Sequence, residues 1–198
     1  MGRARAPQAK ASRAPGTLYA INGGEGWFYY GQDSAQGDIG FLRHRTSDIE
    51  RRPEIVLPYP LMSRVCIEWP SLERALRTGR WHFLGGAPLH PDLAKPYGVV
   101  LCPVGTNNVQ VWVYQNRPGQ PATIVRTWHT RIDDPEIQNF EVASAWDAEH
   151  HIPQRLKADF GEEEADWHVS GPVWRHRDVK LEYARRFPDQ PWHQLPTD

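Results

Sequence analysis

The chain predicts an α+β fold: a twisted, mostly antiparallel β-sheet laid out as a meander, with a few short helices. Three observations predict it. Thr17 to Tyr30 alternates, turns on glycines and returns as an aromatic run, which is hairpin chemistry. Valine-rich runs on either side of Gly105-Thr106-Asn107-Asn108 make a second hairpin. The 18 Pro and 16 Gly leave little room for long helices.

Met1 to Pro15 is rich in Ala, Arg and Pro without apolar periodicity, and reads as a basic flexible tail. Residues 16–187 read as a single domain, with a β-rich part at 16–129 and an acidic mixed part at 130–187; residues 188–198 read as a C-terminal tail. Thr17–Ile21 and Trp27–Tyr30 are the first two strands, joined by the Asn22–Gly26 turn. Asp38–Arg45 is a third strand. Pro53, Pro58 and Pro60 place a loop or edge before a fourth strand at Ser63–Trp69, whose Val65 and Ile67 share one face.

Pro70-Ser71 starts a helix with Ser71 as N-cap, Leu72, Ala75 and Leu76 on one face, a Glu73–Arg77 pair, and Gly79 as its stop. Arg80 to Pro96 reads as a loop whose Trp81, Phe83 and Leu89 plug the end of a sheet. Val99–Val104, Val109–Tyr114 and Thr123–His129 form the meander. Pro153–Phe160 is a short helix ended by Gly161, and Val179, Tyr183 and Phe187 repeat at helical spacing.

The net charge of −1 conceals an uneven distribution. Residues 133–166 hold eleven acids against Arg155 and Lys157, a net −9, while residues 1–16 carry +4. No run of about 18 apolar residues occurs, and the basic N-terminus lacks the apolar core of a secretory signal, so a cytoplasmic protein without membrane contact is expected. Cys66 and Cys102 lie in apolar V-C-I and L-C-P contexts, where a free thiol behaves as a small hydrophobe.

Catalytic signatures are sparse. No H-E-x-x-H, C-x-x-C, G-x-S-x-G or phosphate-cradling glycine motif occurs, so neither metal nor cofactor is expected. Glu149, His150 and His151 are the residues on which a small hydrolase using His and carboxylate chemistry would be built; His82 with His90 and His168 with His176 are weaker pairs. Arg43, Arg45, Arg126 and Arg131 interleave with aromatics as in single-stranded nucleic-acid binders, but the −9 segment would repel phosphate.

The opening phrase Gly16 to Gln32, ending Tyr29-Tyr30-Gly31-Gln32, resembles the start of immunity family 26 of bacterial polymorphic toxin systems. Gly79-Arg80-Trp81 followed by His82 to Leu89 is similar to that family's Gly-x-Trp phrase and small-residue turn. The resemblance covers Gly16 to about His129. It implies a cytosolic, non-enzymatic inhibitor that binds the C-terminal domain of a cognate toxin, often a basic nuclease. The segment that would complement such a partner holds Asp133, Asp134, Glu136, Glu141, Asp147, Glu149, Glu162, Glu163, Glu164 and Asp166, with Trp146 and Trp167 as aromatic anchors.

Overall fold

A computed structural model describes residues 14–34, 38–103, 105–117, 120–166, 169 and 171–189. Most of the two tails, together with Val104 and Trp167, therefore lies outside the described residues. In chain order the strands begin with β1 (Thr17–Asn22), β2 (Phe28–Asp33) and β3 (Asp38–Thr46). A one-turn helix α1 (Pro53–Val56) precedes β4 (Leu61–Ile67), α2 (Trp69–Thr78) and β5 (Trp81–Gly86). Then come β6 (Tyr97–Leu101), β7 (Asn108–Arg117), β8 (Gln120–Arg131), β9 (Glu141–Val142) and β10 (Ala145–Trp146). Helices α3 (His151–Phe160) and α4 (Val173–Arg186) complete the α+β fold.

The strands form two sheets rather than one meander: six strands in the order β10-β4-β3-β2-β1-β5 and four in the order β8-β7-β6-β9. Adjacent pairs are antiparallel except at one edge of each sheet, where β10 runs parallel to β4 and β9 parallel to β6. The stretch Glu141 to Trp146 thus leaves one sheet and enters the other.

The six-stranded sheet is covered on both faces, which is why β1 and β2 are buried almost throughout instead of alternating. One face packs Tyr19, Tyr29, Phe41 and Trp81 against α2, α3 and Trp146; the other packs Leu18, Ala20 and Tyr30 against Val56. The four-stranded sheet buries Val100, Val109 and Val111 against Ile137 and Val173.

Arg80 to Pro96, expected as a loop, contains β5, which takes the free edge of β1, and a 3-10 turn at Pro91–Ala94. Its Trp81 is a core residue whose Nε1 donates to the Ala148 carbonyl at 2.9 Å, while Phe83 is 43% exposed. Pro53 likewise opens α1 where a loop or edge is expected, because proline suits a first helical turn.

Ser71 does not cap α2. The helix starts at Trp69, and the Ser71 hydroxyl donates to the Glu68 carbonyl while accepting from the Ala148 amide at 2.8 Å. Arg74, rather than Arg77, makes the helix's ion pairs. Gly79 ends α2 and Gly161 ends α3, both left-handed at φ 74 and 76.

Candidate functional site

The acidic segment is largely neutralised within the chain. Asp133 pairs with Arg131 at 3.2 Å, and Glu136 with Arg126 at 2.6 Å. Asp134 accepts from the Thr130 hydroxyl and the Glu136 amide, and the Thr130 bond is the leading cause that holds its carboxyl below the usual range. Glu141 pairs with the fully buried Arg155 at 2.7 Å. Asp147 and Glu149 both engage Arg74, the closer contact being Glu149 at 2.9 Å, which raises the Arg74 pKa.

Farther along, Glu162 contacts Arg45 and accepts from the Tyr29 hydroxyl at 3.1 Å, and Glu163 pairs with Lys157 at 2.8 Å. Glu164 is exposed and Asp166 half-buried. Trp146 is 4% exposed in the core against α3, edge-on to His151, so it presents no surface to a partner. The predicted residues therefore divide among β8 and its following turn, α2, and the β2–β3 side of the first sheet.

Several of the described histidines serve local structure, and His168 lies outside the described residues. His90 accepts from the Asp92 amide, and His82 lies edge-on to Phe28. The Asp147 carboxylate accepts from the amides of Glu149 and His150 in the turn that precedes α3, and His151 Nδ1 lies 3.4 Å from the Asp147 amide. Glu149 is committed to Arg74 and faces Thr78. Among the described residues no group of three or more His, Cys, Asp or Glu is placed to hold a metal. Three of the four arginines read for nucleic acid are also engaged: Arg45 lies 4.3 Å over Trp27, Arg126 lies 3.8 Å over Trp128, and Arg131 pairs with Asp133.

Two features stand out beyond these side chains. The first is β8, the edge strand of the smaller sheet, paired only on its β7 side among the described residues. Ile124 pairs with Tyr114 and Arg126 with Val113, so Val125 is the extra residue of a β-bulge, and Ile124 and Val125 are each 49% exposed. The adjacent apolar pair Ile124-Val125 within a predicted strand is the sequence signal for this surface. The Asp133-Asp134-Pro135-Glu136 turn follows β8 directly, with Asp133 59% and Glu136 49% exposed.

The second is a cleft of about 320 Å³ between the sheets, bordered by Arg64 and Cys66 of β4, Tyr97 of β6, Trp112 and Tyr114 of β7, and the Glu141–Ala145 crossover. Arg64 is buried against Asp38, and its guanidinium lies 3.8 Å over the Tyr97 ring, which stacks on Tyr114 at 5.4 Å. Burial raises the Tyr97 pKa, keeping the phenol protonated. Nη2 of Arg64 is buried with no partner among the described residues. This cleft has a planar aromatic wall and one spare donor, with its central charge already compensated.

No family model, curated protein or solved structure matches this chain. No helix among the described residues is long and apolar enough to cross a membrane.

Proposed function

We propose that the chain is a protein-binding inhibitor of immunity type, acting in the cytosol by seating the C-terminal domain of a cognate toxin against β8. The observation that carries this is the open edge itself, with Ile124 and Val125 exposed at a bulge in the edge strand. An unpaired strand edge presents a row of N–H and C=O groups that an incoming strand can complete. Main-chain bonds would supply affinity, and Ile124 and Val125 the apolar contact.

The acidic turn at Asp133, Asp134 and Glu136 borders this edge. It would steer a basic partner such as a nuclease domain, at a rate that falls with added salt. Asp133 and Glu136 also hold cations, Arg131 and Arg126, but their side chains are 59% and 49% exposed against 12–21% for Glu141, Asp147, Glu149 and Glu162, so the turn beside β8 is the part of the acidic segment best placed to act. The family resemblance of the opening hairpin supports the same class.

Co-expression with the toxin domain encoded beside this chain, scored by co-purification and growth, tests the proposal. A stable complex and restored growth are expected. Absence of both would overturn it.

A further inference from the structure

We infer that the cleft between α4 and the end of β8 binds a small organic anion: a carboxylate or phosphate head on a short apolar body. This site adjoins the proposed toxin-binding edge and shares Arg131 and Asp133 with it, but the cation it turns on, Lys180, lies on α4. The cleft measures about 200 Å³, and three of its lining residues, Arg131, Arg177 and Lys180, are cationic against a single acid, Asp133.

Two of the cations are already balanced. Arg131 pairs with Asp133 at 3.2 Å, and Arg177 contacts Asp178 at 3.0 Å and Gln138 at 3.2 Å. Lys180 has no carboxylate partner among the described residues, although it is half-buried. Asp133 in the same cleft is taken by Arg131, and the titratable groups buried beside Lys180 add no counter-charge among the described residues. Burial pushes the Cys102 thiol up to about 11, so it stays neutral, and holds His176 down to about 4, so that ring is also neutral.

A partly desolvated ammonium without a counter-ion is costly, and burial accordingly lowers the Lys180 pKa. An anion seated beside it offsets that cost, in a setting where attraction is stronger than in bulk water. Ile132 and Leu181 form apolar walls, which call for a hydrocarbon body behind the charged head. Size is adequate, since an engineered apolar cavity of about 150 Å³ holds benzene. The inter-sheet cleft makes no such demand, because Asp38 already neutralises Arg64 there.

The test titrates the full chain with benzoate and with phenyl phosphate, following backbone amide shifts in α4, with inorganic phosphate as a head-only probe. Saturable binding of at least one organic anion is expected, tighter than inorganic phosphate; which one binds identifies the head. Lys180→Met removes an uncompensated charge, so the variant should fold, and it should weaken binding at least tenfold, with Lys180→Arg restoring part of the loss. In the wild-type chain the bound anion should also slow acylation of Lys180. Neither organic anion binding saturably, or equal affinity in wild type and Lys180→Met, would overturn the site. Lys180→Gln provides the same comparison should the methionine variant not fold.

Discussion

Arg155 on α3 donates from Nη2 to Oε1 of Glu141 on β9 at 2.7 Å, with none of its own side chain exposed. Its Nε donates to both oxygens of Asp159 at 3.0 Å, and Asp159 also receives Arg175 of α4. One buried guanidinium thus ties the first sheet's helix to the edge of the second sheet and, through Asp159, to the last helix. Attraction to Glu141 and Asp159 outweighs the opposing effect of burial and raises the Arg155 pKa, so it stays charged throughout the ordinary pH range.

Removing one partner of a buried pair leaves the other charge stranded, at a cost of about 3–5 kcal/mol. Arg155→Leu should therefore lower stability by about that amount, read as a shift in the urea midpoint with unchanged slope. An unchanged midpoint would show that the network contributes nothing.

Stability should also fall on mild acidification because of His176. Burial and then the Lys180 charge lower its folded pKa to about 4, below the ordinary 6.5. Above pH 6.5 the ring is neutral in both states and its contribution is complete. As pH falls from 6.5 toward 4, the unfolded chain takes up a proton that the folded chain does not, so stability drops by at most about 1.4 kcal/mol per pH unit. His176→Gln should flatten this part of the profile in thermal melts between pH 7 and pH 4.5; a parallel profile would remove His176 as its source.

The two thiols should react very differently. Cys66 is exposed on β4, whereas Cys102 is half-buried with its pKa pushed up to about 11. Iodoacetamide at pH 8 should label one thiol in the native chain and two after denaturation, counted by mass. Equal labelling of both in the native state would contradict this placement.

Gly98 on β6 marks a close approach. A Cβ added there would meet the Phe140 ring at 2.2 Å, so Gly98→Ala forces the ring to shift. Overpacking of this kind costs about 1–3 kcal/mol. Pairing the change with Phe140→Leu should recover part of the loss in denaturant unfolding, and no recovery would place the strain elsewhere.

What the sequence makes legible here is local chemistry. The glycine turn of the first hairpin, the left-handed stops at Gly79 and Gly161, and the inward faces of β4 and β7 follow from requirements met within a few residues. Strand β5 is not legible in the same way. Its glycines and flanking prolines resemble a loop, and what makes it a strand is the free edge of β1, a distant partner. Division into two sheets is hidden for the same reason, since the parallel edge strands β9 and β10 have two residues each.

Candidate-site residues divide similarly. The eleven acids of residues 133–166 can be counted in the sequence, but the arginines that neutralise them arrive from β3, α2 and β8. Trp146 looks available as an anchor until its parallel pairing beside Ile67 places it in the core.

The most direct measurement is affinity for the proposed partner, the C-terminal domain encoded by the upstream neighbouring gene, compared between the native chain and Ile124→Lys/Val125→Lys. Both side chains are about half exposed, so the double variant should keep native stability within about 0.5 kcal/mol per site. The prediction is a tight native complex and at least a tenfold loss in the variant, with growth protection lost in parallel. A folded double variant that binds and protects as well as the native chain would contradict docking at β8.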